Sequence, residues 1–266
     1  MITDSEFSRI VAYMQRNYGI DLSQKRVLVG GRLNNYLVRN GYASCDEYMT
    51  KVEHDPKGSE AVDLVNALTT NHTYFMRESE HYEYLKRVVL PWVKTVATGK
   101  EVNIWSAASS TGEEPYTLAM VLKDFFGPES SAWDTRVLAT DISTRVLNHA
   151  AKGVYLKEDV EPLPPSWKKR YFKQISPEEY QVKDELRREV IFRQFNLMNP
   201  ISFRKKFHIV FLRNVMIYFP DDTKHQLVQR IYDYMEPGGY LFIGTTESLD
   251  RHKIKFQYVQ PSVYRK

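Results

Sequence analysis

Cysteine is nearly missing from this chain: among 266 residues only Cys45 carries a thiol. No internal disulfide and no thiolate metal cluster can form, which fits a reducing compartment. Histidine offers no substitute, because no second histidine stands at ligand spacing from His72, and no metal site is expected. No apolar run approaches the ~20 residues that span a bilayer. The opening MITDSEFSR is acidic where a signal peptide would be basic and then apolar, so a cytoplasmic chain without membrane insertion is expected. The formal net charge of +4 is too small to argue by its sum for a nucleic-acid partner. A hydrophobic content of 42% is that of a globular protein, long enough for one large domain or two modest ones.

Glycine is scarce at the place where nucleotide-binding chains concentrate it. In VNIWSAASSTGEEPY, positions 102–116, Gly112 is the only glycine. The G-x-G-x-x-G spacing and the phosphate-loop lysine are therefore both absent. The stretch still predicts a strand from Val102 ending at Ala108, a turn of small residues, and a helix opened by Pro115 and running to Phe126. Small residues between strand and helix let a ligand approach the backbone, beside free N–H groups at the helix start. Glu113 and Glu114 make the turn a poor host for phosphates. They suit a cofactor bearing hydroxyls and positive charge, of which S-adenosylmethionine is the commonest. A plain tight turn, with two carboxylates favourable at a helix N-terminus, is the alternative.

Around this turn the chain divides. Thr3 and Glu6 form a capping box for a helix to Tyr18, and helices follow at about Ser23–Asn40, from Ser44, and at Ser59–Thr70. Residues 1–70 thus predict a small helical domain. Lys25, Arg32 and Arg39 recur every seven residues on its second helix, as a solvated face or as a docking surface for an acidic partner. The mixed segment TTNHTYFMRE, 69–78, reads as a cleft lining between domains. Residues 71–266 predict the second domain, in which the pattern alternates from Val102 as a doubly wound α/β sheet. Strand two, Arg136–Thr140, ends in Asp141, where ribose hydroxyls are held in such folds, unless Asp141 or Ser143 merely caps the next helix. Residues 154–195 predict an antiparallel β insertion. His208–Val215 reads as a buried parallel strand, Asp222–Met235 as a helix, Tyr240–Gly244 as a strand, and Phe256–Val259 with Val263–Arg265 as an edge hairpin. Asn196-Leu197, Arg213-Asn214 and Tyr218 follow apolar runs and so point to the sheet's carboxyl edge.

NHTYFMRE, WSAASSTGEEPY, ATDIS, FNL and FLRNVMIYF, in this order, resemble the bacterial chemotaxis receptor methyltransferases, the CheR family. The resemblance covers essentially the full chain. It implies a Rossmann-like methyltransferase sheet behind a helical N-terminal domain, and a protein-glutamate O-methyltransferase using S-adenosylmethionine and releasing S-adenosylhomocysteine. The substrate implied is the cytoplasmic helical region of chemoreceptors, with no nucleic acid, and a monomer is expected. Carried over from the family, the cofactor contacts are Asn71, Thr73, Arg77, Glu114, Asp141, Asn196, Leu197, Leu212 and Arg213. Arg77 and Tyr218 are implied at the reacting centre, and Lys25, Arg26, Arg32 and Arg39 as the receptor-docking surface. Leu212 stands where many members have cysteine. Lys173–Leu186 lacks the glycine-rich loop that grips a receptor's C-terminal pentapeptide in some members, so no such tether is expected. A glutamate carboxylate, with a pKa of about 4.3, is already ionised at neutral pH and needs no general base. Two other readings are a methyltransferase acting on nucleic acid or a small molecule, and a non-catalytic cofactor sensor.

Overall fold

The structure, a computed structural model, describes residues 2–266. Four helices come first: α1 (Asp4–Tyr18), α2 (Arg26–Arg39), α3 (Cys45–His54) and α4 (Ser59–Leu68). In α1 the Thr3 hydroxyl accepts from the Glu6 N–H while the Glu6 carboxylate accepts from the Thr3 N–H, and Gly19 ends the helix at φ 69°. That reciprocal cap satisfies two N–H groups that a helix start otherwise leaves idle. α2 opens later than Ser23, because Ser23 and Lys25 are held in a turn by Asp21 and the Leu22 carbonyl. The four helices enclose their own core, with Ile10, Met14, Leu33, Tyr48 and Met49 fully buried.

One helical stretch was not legible in the sequence. α5 (Glu80–Tyr84) continues through a π-helical turn, Leu85–Val89, into α6 (Leu90–Val96). Pro91 lies just past that turn; proline has no N–H to give the helix ladder, and a π turn is one way to absorb the mismatch.

The sheet follows: β1 (Ile104–Ala107), α7 (Glu113–Phe126), β2 (Val137–Asp141), α8 (Thr144–Lys152), β3 (Val154–Leu156), α9 (Lys157–Val160) and α10 (Pro165–Tyr171). Next come β4 (Phe172–Gln174), β5 (Glu179–Val182), α11 (Asp184–Arg187), β6 (Val190–Gln194), β7 (Phe207–Leu212), α12 (Asp221–Asp233), β8 (Met235–Ile243), β9 (Gln257–Gln260) and β10 (Val263–Arg265). Seven strands lie in the order β6-β2-β1-β7-β8-β10-β9. The first five are parallel, and β10 runs antiparallel to both β8 and β9. All six residues of β7 are buried, as expected of a parallel strand covered on both faces. The chain leaves β1 toward β2 on one side and returns to β7 on the other, so a crevice opens between their carboxyl ends.

Two expectations need correction. The antiparallel insertion does not extend over 154–195: its sheet is β3-β5-β4, and Val190–Gln194 pairs in parallel with β2 from Val137↔Val190 to Asp141↔Gln194. The short α11 breaks the alternating run at 184–187, and the apolar VIF that follows covers the edge of β2. Pro115 is the third residue of α7 rather than its first. It still sits in the opening turn, where a missing N–H has no partner to lose. Among the described residues no helix is long and apolar enough to cross a membrane.

Candidate active site

A cleft of about 430 Å³ lies over the carboxyl ends of the strands, walled on its other side by the helical domain. Tyr18, Ile20, Leu22 and Lys25 line it from that domain, and Asn71, Thr73 and Arg77 from the connecting segment. From the sheet come Ser110, Glu114, Asp141, Asn196, Leu197, Arg213 and Tyr218. Polar bridges hold the two walls together. The Asn196 amide donates to the Asn17 carbonyl at 2.8 Å, and the Asp21 N–H donates to the Tyr218 carbonyl at 2.9 Å.

The turn after β1 is shaped by backbone that most side chains avoid. Ala108 and Ser110 have φ of 63° and 48°, and Gly112 has 101°. Non-glycine residues in this region carry strain that only the surrounding structure maintains. At Gly112 a Cβ would lie 2.8 Å from the Ala150 Cβ and 2.9 Å from the Tyr155 hydroxyl. That hydroxyl donates to the Thr111 carbonyl at 2.7 Å, fixing the far side of the turn. Asp141 fixes the near side: one carboxylate oxygen accepts from the Ser110 N–H and the other from the Ser143 N–H, both at 2.9 Å. Burial raises the Asp141 pKa, opposed by those N–H groups. Capping of α8 falls to Ser143, whose hydroxyl accepts from the Val146 N–H.

Beside the turn lies a buried ion network. Arg213 is centred on it, with its guanidinium 3.1 Å from Glu78, 3.4 Å from Glu114 and 3.1 Å from the Tyr82 hydroxyl. It also donates to the Arg77 carbonyl. Burial opposes the Arg213 cation, but Tyr82, Glu114 and Glu78 outweigh it and raise its pKa. Glu114 accepts from the Ser106 hydroxyl at 2.7 Å; burial raises its pKa against the pull of Arg213. His81, 3.4 Å from Glu78, is pushed down to about 4 by burial and by Arg213, so it is neutral. Below the network Glu247 accepts from the N–H groups of Asn214, Met216, Ile217 and Gly244 at 2.7–3.2 Å. One carboxylate thus holds the loop that carries Tyr218.

Comparison with known proteins bears on this arrangement. Residues 71–265 match the family model described as "CheR methyltransferase, SAM binding domain", and residues 5–69 match "CheR methyltransferase, all-alpha domain". The chain belongs to the CheR methyltransferase family. It is 37% identical over 270 residues to the chemotaxis protein methyltransferase of Borreliella burgdorferi, covering 100% of this chain and 95% of the relative. To chemotaxis protein methyltransferase 1 of Pseudomonas aeruginosa it is 34% identical, over 98% of each chain. The Escherichia coli chemotaxis protein methyltransferase is 34% identical over 99% of this chain and 91% of its own length.

Within the CheR family the methyl donor is S-adenosylmethionine, and the cleft fits such a group. Asp141, buried, and Glu114, partly buried, present carboxylates to hydroxyls or to cationic charge, Leu197 and Ile20 give apolar wall, and Arg77 is available to a carboxylate. When bound, the donor supplies an electrophilic methyl on a sulfonium.

Nearly all the residues singled out from the sequence come together here, with qualifications. Arg77 donates to the His72 carbonyl at 2.7 Å and lies over the Tyr74 ring. Asn196 lines the cleft with its side chain engaged by the backbone at Asn17 and Met198. Leu212 is the exception: its side chain is fully buried in the core on β7, pointing away from the cleft as the strand's alternation requires, and only Arg213 next to it reaches the site. The basic stripe is also broken. Lys25 precedes α2 and lines the cleft; Arg32 turns inward to the Ala67 and Thr69 carbonyls at 3.2 and 2.9 Å. Arg26 pairs with Asp4 at 2.7 Å, and Arg39 is exposed. Glu78 and Glu247 were missed. Glu78 closes the cleft motif itself without a feature that marks it out from its neighbours, and Glu247 has only a place after a strand end, which many surface glutamates share.

Proposed function

We propose that this methyltransferase acts on glutamate side-chain carboxylates of chemoreceptors in the cytoplasm, forming methyl esters. The observation that carries the reading is the sorting of charge across the cleft. Asp141 is buried at its floor with no cation paired to it among the described residues, Glu114 beside it is paired with Arg213, and the exposed Lys25 stands on the helical side with Arg77 on the connecting segment. The floor favours a cationic donor, and the cations favour an anionic acceptor in front of it. A carboxylate acceptor is ionised at neutral pH, so positioning is the main task left to the protein, and effective molarity can contribute ~7–11 kcal/mol. The task of orienting the reacting methyl falls in this reading to Tyr218, whose carbonyl accepts from the helical domain and whose loop is held by Glu247, and that of holding a carboxylate to Arg77. Asn71, Thr73, Asn196, Leu197 and Arg213 complete the donor's wall.

The receptor is met by the open face of α2. Val27 and Val38 are 91% and 80% exposed there, beside Arg39. Apolar side chains left in water next to a cation suit an amphipathic helix with acidic residues. Binding of a C-terminal pentapeptide is not part of this reading; measurable affinity for such a peptide would contradict it.

The test supplies labelled donor to receptor-containing membranes. Label should appear in receptor as a base-labile ester and vanish when the acceptor glutamates are replaced by alanine. Label in nucleic acid, or a base-stable product, would overturn the proposal.

A further inference from the structure

Glu78 touches no part of the cleft surface, yet its carboxylate joins three segments, two of which line the cleft. One oxygen accepts from the Asn214 amide at 3.1 Å. The other accepts from Arg213 Nε at 3.3 Å and from the Thr245 N–H at 3.2 Å. Arg77 Nε lies 4.0 Å from the first oxygen. The Glu78 side chain is only 11% exposed, and its backbone sits at φ 55°, a conformation glutamate adopts at a cost. Buried charge and backbone strain are both retained at one residue that makes no contact with the cleft itself.

Charge balance gives a reason. Arg77, Arg213, Glu78 and Glu114 form one connected group of two cations and two anions. Arg77, Arg213 and Glu114 line the cleft; Glu78 stands behind them. Without Glu78 the group carries one net positive charge, and Glu114 alone must neutralise Arg213. The wall would then repel a sulfonium and draw the Glu114 carboxylate away from the ligand. The donor carries a positive sulfur; its demethylated product has the same skeleton and a neutral sulfur.

We infer that Glu78 is a positioning residue whose charge keeps this wall neutral and so tunes the affinity of the cleft for the sulfonium donor relative to the uncharged thioether product. The inference rests on the donor occupying this cleft and is independent of which acceptor is methylated.

The test is calorimetric titration of the intact protein with S-adenosylmethionine and with S-adenosylhomocysteine. Glu78→Gln keeps the shape and, with the Asn214 amide rotated, the hydrogen bonds, while removing the charge. It should weaken donor binding about five- to tenfold more than product binding, the size expected of one partly screened charge. Equal weakening of the two ligands would show a purely structural role and overturn the inference. If Glu78→Gln fails to fold, Glu78→Asp decides: both affinities fall while their ratio stays within about twofold of wild type, and a larger change in ratio overturns the inference. Wild-type protein that binds neither ligand would overturn the assignment of the cleft and this inference with it. Wild-type binding with an unmoved ratio in Glu78→Gln overturns the role of Glu78 alone.

Discussion

Asp141 shows what a single residue discloses in sequence and what it withholds. Its place after a strand suggested a ligand contact, with a helix cap as the rival. In the structure the cap is Ser143, and Asp141 joins the turn after β1 to the end of β2 through two N–H groups. The second of those partners is local and could be foreseen; Ser110 is brought there only by the pairing of β1 with β2. Glu113 and Glu114 separate for a similar reason. Successive helical positions point about 100° apart, so Glu114 reaches Arg213 and the cleft while Glu113 turns into the protein, where the Thr111 hydroxyl donates to it at 2.7 Å. Burial pushes the Glu113 pKa up to about 7, against the hydrogen bond from Thr111. A carboxyl raised on folding contributes stability that is full below its unfolded pKa and is lost as pH rises through the folded one. Between pH ~4.5 and 7 the native state therefore gives up this contribution. Glu113→Gln should raise the melting temperature at pH 8, by a few degrees for roughly 1–3 kcal/mol, and leave it nearly unchanged at pH 4.5. Equal shifts at both values would remove titration as the cause.

At the scale of elements, periodicity served well where one face is buried and poorly elsewhere. α1, α3, β7 and the β9–β10 hairpin were legible because cap, stripe or apolar run is carried by adjacent residues. The helix from Glu80 to Val96 was not, since Pro91 argues against a helix and the π turn that accommodates it has no sequence signal. β6 was assigned to the wrong sheet because alternation says strand without saying which neighbour it pairs with. The turn before α7 has a demand that the sequence does state, its lone glycine. Gly112→Ala places a methyl within 2.9 Å of Ala150 and Tyr155 at φ 101°. Destabilisation of at least ~2 kcal/mol is expected, together with weakened donor binding, because the Ser110 N–H to Asp141 link shares the turn. A variant that melts within a degree of wild type would show that the turn relaxes freely. For α2 the expectation runs the other way. Arg39 is exposed and remote from the cleft lining, so Arg39→Glu should reduce receptor methylation about tenfold while donor affinity stays within twofold, as for a docking charge reversed in sign. Unchanged receptor methylation would move the docking surface off this helix.

The molecule as a whole works as two bodies closed on one polar seam, and the ionisation of that seam links ligand to proton. On the sheet side burial raises the pKa values of Asp141 and Glu114, with backbone N–H groups opposing it at Asp141 and Arg213 opposing it at Glu114. A ligand cation placed against those carboxylates favours their charged forms and pulls the raised values back down. Binding must then release protons whenever the free carboxylates are partly protonated, and affinity must climb with pH until they are ionised without help. The donor's amino group titrates at about 7.7–8.0, so below pH 7 its own charge does not change and the trend belongs to the protein. His81, already neutral above about 4, does not confuse the range, and Glu113, which titrates at about 7, is set aside by repeating the titration in Glu113→Gln, where the same trend should remain. Donor affinity should therefore increase from pH 4.5, the ordinary value above which Glu114 is raised, to pH 7, and the heat of binding at pH 4.5 should depend on the ionisation enthalpy of the buffer. The product keeps the amino group and loses the sulfonium, so its pH dependence should be shallower. A dissociation constant that stays flat over this range, with buffer-independent heat, would mean that neither carboxylate meets the ligand's charge, and the cleft floor would need a different occupant.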